Sequence, residues 1–146
     1  MIHINRYIGK LPIEVEQEII ELAVDCNIGE PYDTECDLVF TWVQDDEIVA
    51  VIAFYLQLFS NGKEIPRWEH IFYHPRVRTT KNAYHFIKDV VNTVAMMYDQ
   101  IWAFVKPEKD YMRKYALRFG FEEYSSDREG KYLVLNFNKQ HERKES

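Results

Sequence analysis

The spacing of apolar residues changes along the chain, and each change marks a different kind of element. Apolar and polar residues alternate loosely from Ile2 to Tyr7, which predicts an opening strand. From Pro12 to Cys26 the apolar residues recur every three or four positions, as they do on the buried face of a helix. The segment Asn27–Asp37 contains Gly29 and Pro31 and is predicted to be a loop or a short second helix.

The middle of the chain is rich in Val, Ile, Phe, Tyr and Trp, the residues that favour strands. Two short polar segments divide it into three pieces, Leu38–Val43, Ile48–Phe59 and Arg67–Tyr73. Such pieces, joined by tight polar turns, predict three strands in a meander, and Pro75 ends the third.

Helical spacing returns after the meander and alternates with short apolar segments. The predicted elements are a helix over Thr79–Tyr98, a strand over Ile101–Val105, a helix over Glu108–Phe119 and a strand over Lys131–Phe137. The expected N-cap of the helix over Thr79–Tyr98 is Thr79 or Thr80, and the expected C-terminal cap of the helix over Glu108–Phe119 is Gly120.

The order of these elements predicts an α/β (α+β) fold. A strand–helix–strand crossover over Arg67–Val105, in an otherwise antiparallel arrangement, implies a mixed, mostly antiparallel central sheet with helices on its faces. We expect a single domain over residues 1–137 and a polar C-terminal tail over residues 138–146.

Composition excludes several classes of protein. Of the 146 residues 47% are apolar and 15% aromatic, with only 5 Gly and 5 Pro, so the chain can build a core and is not of disordered or collagenous type. No apolar run approaches the roughly 20 residues of a membrane span, and the N-terminus lacks the pattern of a signal peptide. Two cysteines are too few for a disulfide framework, so we expect a cytoplasmic protein.

Charge is divided unevenly along the chain. The formal charge of the whole chain is −6. Residues 11–62 contain 12 of the 24 acidic residues and no Lys or Arg, so the negative charge is concentrated in this stretch. This stretch could receive a cationic partner, or it could be an ordinary solvated surface. A pI near 5.4 and the absence of a basic, aromatic-interleaved stripe argue against binding of nucleic acid.

Two short segments, Ile71–Ala83 and Leu117–Glu122, resemble motifs of the GNAT superfamily of N-acetyltransferases. Residues Ile71–Ala83 are similar to the end of the family's fourth strand and its pyrophosphate loop, [Q/R]-x-x-G-x-[G/A], with Arg78 at the first position and Ala83 at the last. Residues Leu117–Glu122 are similar to the Gly-Phe ending of the family's next helix. The resemblance extends from Ile2 to Phe137 and implies the GNAT fold.

The resemblance implies acetyl-CoA as cofactor. The unpaired amides and the dipole at a helix N-terminus can hold a pyrophosphate. Three cations, Arg76, Arg78 and Lys81, lie close together at the start of the helix predicted over Thr79–Tyr98. The alternative is a solvated basic turn beside a capped helix. The residues expected to bind the cofactor are Phe72, Tyr73, Arg76, Arg78, Thr79, Thr80, Lys81, Asn82 and Ala83.

Acetyl transfer to an amine requires a base, and two candidates precede Pro75 on the third meander strand. Glu69 and His70 are adjacent, so they point to opposite faces and only one can reach the reacting amine. The alternatives are that His70 packs among aromatic residues and that Glu69 forms a salt bridge with Arg67 or Lys63. We predict no metal site.

Three positions depart from the family pattern. Lys81 occupies the place of the middle glycine of the loop, Lys109 that of a frequent asparagine and Ala116 that of the usual catalytic tyrosine. Tyr111 and Tyr115, on the same predicted helix, are the candidates to replace that tyrosine as the acid that protonates the departing thiolate.

Two functions are compatible with these residues. The first is transfer of an acetyl group from acetyl-CoA to a cationic amine, attracted by the acids Glu30, Asp33, Glu35 and Asp37 of the early loop. The second is a catalytically inactive GNAT-like module that binds a protein partner, for example a phage or mobile-element virion component or an inhibitor of a host protein. The sequence does not predict the oligomeric state.

Overall fold

Seven strands and three α-helices are found in residues 2–137, the part of the chain that the computed structural model describes. A 3₁₀ turn, Pro107–Lys109, precedes the last helix. The elements are β1 (His3–Ile8), α1 (Ile13–Asp25), β2 (Leu38–Gln44), β3 (Glu47–Leu58), β4 (Glu64–Tyr73), α2 (Lys81–Ala95), β5 (Gln100–Val105), α3 (Asp110–Arg118), β6 (Glu122–Ser126) and β7 (Lys131–Asn136).

The strands form a mixed sheet in the order β1-β2-β3-β4-β5-β7-β6. β4 and β5 are parallel, with Arg67 opposite Trp102 and Trp68 opposite Ala103. The pairs β1–β2, β2–β3, β5–β7 and β6–β7 are antiparallel. The predicted α/β (α+β) class and mostly antiparallel sheet are therefore confirmed.

Contacts divide the described residues into two compact units. Residues 2–56 and 69–93 form the first, and residues 57–68 and 94–137 form the second. A single domain over residues 1–137 stays a prediction, and the predicted tail lies outside the described residues. None of the described helices is both long enough and apolar enough to cross a membrane.

In the first unit the buried face of α1 packs into an apolar cluster. α1 begins after Pro12 and has Glu14 and Glu16 in its first turn, where carboxylates complement the helix dipole. Its predicted range is confirmed to within one residue at each end. The cluster includes Ile19, Leu22 and Ala23 of α1, Val39 of β2, Val51 and Ala53 of β3, and Phe72 of β4.

A two-residue turn joins β2 to β3. Asp45 and Asp46 both have positive φ angles, 53° and 63°, as a type I′ hairpin turn requires. Aspartate tolerates this backbone better than most residues because its short side chain bonds locally. The turn pairs Gln44 with Glu47 and Val43 with Ile48, and the register shifts by one residue between Val43 and Trp42. The Ile48 amide donates to the Glu18 carboxylate at 2.6 Å.

The boundaries predicted for the second helix were wrong at both ends. α2 starts at Lys81, two residues after the predicted start. The Thr80 hydroxyl, immediately before the helix, donates to the Val77 carbonyl at 2.8 Å. That bond belongs to the preceding turn and is not an N-cap. At the other end the amides of Met97 and Tyr98 both donate to the Val94 carbonyl, which closes the helix before Tyr98.

In the second unit α3 ends as its sequence predicts. Gly120 has a φ of 98°, and the amides of Gly120 and Phe121 donate to the carbonyls of Leu117 and Ala116. Glycine adopts this left-handed conformation without a steric cost, so it is the preferred residue after a helix. The buried apolar side chains of this unit's strands include Ile101, Leu133 and Leu135.

One strand was not predicted, and one was predicted too short. All five residues of β6 are exposed, so no apolar alternation marks it, and its pairing with β7 is what holds it extended. β4 begins at Glu64, three residues before the prediction, and includes the buried Pro66. Residues 27–37 contain no helix, so only the loop alternative for this segment is correct.

Candidate functional site

The end of β4 is held by two side chains that meet at one carbonyl. The Cys26 thiol donates to the Tyr73 carbonyl at 3.0 Å, and the Arg78 guanidinium donates to the same oxygen at 3.3 Å. Burial is the main cause that raises the pKa of the Cys26 thiol, and Arg78 partly opposes it. This three-residue contact fixes the point where β4 gives way to the predicted cofactor loop.

The loop that follows leaves a group of amides unpaired. Val77, Arg78 and Thr80 donate their amides to the carbonyls three residues earlier, at 3.0, 3.4 and 3.2 Å. Unpaired amides at the start of a helix attract anions, and the helix dipole adds to this attraction. Within residues 2–137 the loop amides without a hydrogen-bond partner are those of Thr79, Lys81 and Asn82.

The three cations of the loop have different partners. Arg76 forms a salt bridge with Glu47, at the start of β3, with 3.0 Å between Nη2 and Oε2. Arg78 folds back onto the Tyr73 carbonyl. Lys81 is exposed, and its side chain has no ion pair in the described part of the chain. Lys81 is therefore the loop cation that can turn toward an anion without losing a salt bridge or hydrogen bond.

Tyr73 connects the strand to the start of α2. Its hydroxyl donates to the Ala83 carbonyl at 3.4 Å, and its ring packs edge-on against Phe86 at a centroid distance of 6.2 Å. Ala83 is buried, so a small residue fits the last position of the loop. Phe72, the neighbouring predicted residue, is also buried, and its ring packs against Tyr32.

The two candidate bases have different environments on β4. His70 is buried, and its Nε2 accepts the Asp33 amide at 3.1 Å, so that nitrogen carries no proton. The Tyr32 ring lies against the His70 ring at 4.9 Å. Glu69 is half-buried and alternates onto the other face of β4, the face that carries Tyr73. His70 thus anchors the loop after α1, whereas Glu69 shares a face with Tyr73.

The hydroxyl of Tyr32, the residue whose ring lies against His70, is buried. The hydroxyl has no hydrogen-bond partner among the residues the structure describes. Burial, together with the nearby Cys36, Asp33 and Glu16, raises the pKa of Tyr32 far above its usual value. Tyr32 is therefore protonated over the whole physiological range.

The acids of the early loop are partly engaged by the backbone. The Asp33 carboxylate accepts the Glu35 amide, and the Asp37 carboxylate accepts the Leu56 amide, each at 2.8 Å. The side chains of Glu30 and Glu35 are exposed. Two of the four acids predicted to attract a cation therefore also hold local structure.

The candidate tyrosines lie on α3 in the second unit. Tyr111 is exposed, and the half-buried Tyr115 packs its ring against Phe119 at 5.4 Å. Lys109 lies in the 3₁₀ turn before the helix. The helix is tied to β6 because Arg113 forms salt bridges with Asp110 at 2.7 Å and Glu123 at 3.1 Å, and the first of these lowers the pKa of Asp110.

The sequence does not predict the contacts that three residues of this region make. Cys26 was assigned to the helix core, and Glu47 and Asp33 were given no contact with the loop or with β4. Each meets its partner across 29 to 47 residues of sequence, so local spacing carries no signal for the contact. The one hint was that a cysteine, Cys26, directly follows the last residue of α1.

Neither protein-family models nor curated proteins give a match to this sequence. Solved structures, in contrast, match its fold. An acetyltransferase of the GNAT family from Staphylococcus aureus is 15% identical with a TM-score of 0.66, over 92% of this chain and 99% of that one. The chain has the GNAT fold. The resemblance read from residues 71–83 and 117–122 is therefore confirmed at the level of the fold.

Two other structures with the GNAT fold were solved with ligands. Naa50 from Arabidopsis thaliana, in complex with the bisubstrate analogue CoA-Ac-MVNAL, is 12% identical with a TM-score of 0.70, over 91% of this chain and 98% of that one. PaiA N-acetyltransferase from Thermoplasma acidophilum, in complex with coenzyme A, is 12% identical with a TM-score of 0.66, over 92% and 99%. At these identities the likeness establishes the fold.

Proposed function

We propose that the protein is an N-acetyltransferase that moves an acetyl group from acetyl-CoA to an amine, and that the amine is cationic. The observation that carries this proposal is the group of unpaired amides at Thr79, Lys81 and Asn82, which lies where the loop after β4 enters α2 of a GNAT fold. This group suits the pyrophosphate of coenzyme A. The ligands of the two complexes above support the same choice of cofactor.

In this proposal some residues of the loop bind the cofactor and others hold the loop in shape. The amides of Thr79, Lys81 and Asn82 bind the pyrophosphate, and the Lys81 ammonium adds a charge-assisted bond. Arg78 and Tyr73 keep the loop in shape, because Arg78 donates to the Tyr73 carbonyl and the Tyr73 hydroxyl donates to the Ala83 carbonyl. Acetyl-CoA supplies the thioester.

The chain must also deprotonate the acceptor. The amine nitrogen bonds to the acetyl carbonyl carbon, the C–S bond breaks, and the two products are the acetylated amine and the coenzyme A thiol. We assign the base to Glu69, because it lies on the face of β4 that carries Tyr73, whose hydroxyl reaches the start of α2. The Nε2 lone pair of His70 already accepts the Asp33 amide. Tyr111 and Tyr115 stay predictions for the acid that protonates the thiolate.

The Glu69→Gln variant tests this assignment. We expect its kcat to fall about a hundredfold while its affinity for acetyl-CoA stays unchanged, because a positioned general base contributes about that factor. The assay measures release of the coenzyme A thiol with a polyamine and with a short peptide bearing a free amino terminus. His70→Gln is the matched control. If it loses more kcat than Glu69→Gln and stays folded, the base is His70.

The Lys81→Glu variant tests the loop. We expect its affinity for acetyl-CoA to fall about tenfold, since the reversed charge repels the pyrophosphate at the start of α2. Lys88→Glu, also exposed and seven residues further along the same helix, controls for the change in net charge. Equal affinities of the two variants, measured by calorimetry, would show that the anion does not bind at this loop.

A second function is favoured by the side chains around the loop. Arg76 is bound to Glu47 and Arg78 to the Tyr73 carbonyl, so two of the three predicted cations have other partners. Ala116 stands where the GNAT family usually has its catalytic tyrosine. Both observations fit a module without catalysis that binds a protein partner. Saturable binding of acetyl-CoA together with thiol release would rule it out.

A further inference from the structure

Helix α1 carries apolar residues on its outward face as well as on its buried one. Ile13, Ile20 and Val24 have exposed fractions of 66%, 36% and 74%. Their spacings of seven and four residues bring them to within about 40° of one another around the helix. The buried residues Leu22 and Ile19 point away from them. We call Ile13, Ile20 and Val24 the α1 stripe.

An acidic flank runs along one side of the α1 stripe. Glu14, Glu21 and Asp25 are exposed, and helical geometry places them about 80 to 120° from Ile13. No salt bridge to these three carboxylates is found in residues 2–137. No Lys or Arg occurs in residues 11–62, so α1 has no cation of its own to neutralise them.

We propose that the α1 stripe is a docking surface for a cationic amphipathic helix of another protein. An apolar stripe on a surface helix is the usual site for a second helix, whose apolar residues pack against it at three- and four-residue spacing. The stripe extends about 16 Å from Ile13 to Val24, which is three turns of a partner helix. Lys and Arg beside the partner's apolar residues would pair with the acidic flank.

Charge argues against the other occupants. In an antiparallel pair of two α1 helices the same flank of each would meet, so carboxylates would face carboxylates in a second copy of this chain. Residues 138–146 of the chain include no apolar residue and cannot cover the stripe. Anionic lipids and nucleic acids would be repelled by the flank. The proposal does not depend on acetyl transfer.

The probe for this surface is a 14-residue model peptide of Leu and Lys that forms a cationic amphipathic helix. We expect saturable binding to the full chain by fluorescence anisotropy at physiological salt. The Ile20→Ser/Val24→Ser variant should bind at least tenfold more weakly. Met96→Ser, at a position 81% exposed and outside α1, should bind as the unchanged protein does.

Two further measurements separate shape from charge. A peptide of the same composition with its amphipathic order scrambled should bind at least tenfold more weakly. The Glu21→Gln/Asp25→Asn variant should also bind more weakly and show a smaller dependence on salt. Because this variant leaves the apolar residues in place, it tests the proposal even if the Ser variant unfolds.

Three results would overturn the proposal. Equal affinity of the unchanged protein and of both α1 variants would show that the peptide binds elsewhere. Equal binding of the ordered and scrambled peptides would show charge attraction without a docking surface. A dimer of the protein alone, seen by light scattering and abolished by Ile20→Ser/Val24→Ser, would assign the α1 stripe to a second copy of the chain.

Discussion

Phe86→Ala should lower the free energy of unfolding by about 4 kcal/mol, the middle of the range for removal of a buried Phe ring. Phe86 is fully buried on α2 and contacts the rings of Trp42 and Tyr73 at centroid distances of 6.1 and 6.2 Å. It therefore fixes the helix whose first residues belong to the candidate anion site. Urea unfolding followed by circular dichroism measures the change.

The matched control for this change is Tyr84→Ala. Tyr84 lies two residues earlier on α2 and is 50% exposed, so its removal should cost about 0.5 kcal/mol or less. If Phe86→Ala costs no more than Tyr84→Ala, α2 is not held to the sheet through Phe86. With Phe86→Ala we also expect weaker binding of acetyl-CoA, because the loop loses support from Tyr73.

Gly130→Ala should lower the free energy of unfolding by about 3 kcal/mol, the upper end for an overpacked site. A Cβ at Gly130 would collide with the Val105 carbonyl and would lie 2.8 Å from Cζ of Phe104. The Phe104 ring can move aside, but the Val105 carbonyl belongs to the backbone of β5. The hairpin between β6 and β7 must therefore shift away from β5.

Gly62→Ala is the control for this second change. Gly62 has a φ of 84°, and a Cβ at this position would meet no atom within 4 Å, so only the left-handed backbone costs energy, about 1 kcal/mol. Chemical denaturation of both variants under the same conditions gives the comparison. Equal losses would mean that the backbone conformation, and not the contact with Val105, determines the requirement for glycine at position 130.

The sequence predicted elements well where side chains are buried and poorly where none is. α1 has apolar residues at helical spacing because it packs one face into the core, whereas β2 and β3 are continuous apolar runs because consecutive residues are buried on both faces. The positions of α1 and of the meander strands were predicted within a few residues. β6 has five exposed residues, so its place depends on hydrogen bonds to β7. Backbone pairing of this kind leaves no pattern in side-chain type.

The start of α2 lies two residues after the prediction, and the Thr80 side chain does not cap it. The role of Thr80 could not be told from the sequence because two roles of threonine look alike there. A threonine before an apolar helical pattern can accept an amide as N-cap or donate to a carbonyl of the preceding turn. Thr80 donates to the Val77 carbonyl. The helix starts one residue after Thr80, and the unpaired amides lie at Lys81 and Asn82 as well as at Thr79.

The position of the candidate site was predictable, but the partners of its side chains were not. The sequence predicts an anion loop that leads into α2, and this stays a prediction; the structure has unpaired amides at Thr79, Lys81 and Asn82. It did not indicate that Arg76 would bind Glu47 or that Cys26 would reach the Tyr73 carbonyl. These contacts depend on how distant segments pack, and one sequence does not contain that information locally.

The structure shows that the acidic residues of the stretch 11–62 differ in what they contact. The acids of residues 11–62 do not act as a group, since Glu18, Asp33 and Asp37 accept backbone amides. Others, on α1, flank the α1 stripe. The acidic stretch therefore serves local structure in part and leaves a flank that suits a cationic partner.

Titration of the full chain with acetyl-CoA by isothermal calorimetry tests the central claim most directly. We predict saturable binding at one site, with a matching rise in the melting temperature, and similar binding of coenzyme A, because the loop recognises the pyrophosphate that both share. No heat and no thermal shift with either ligand at millimolar concentration, from a folded protein, would contradict the proposed acetyltransferase function.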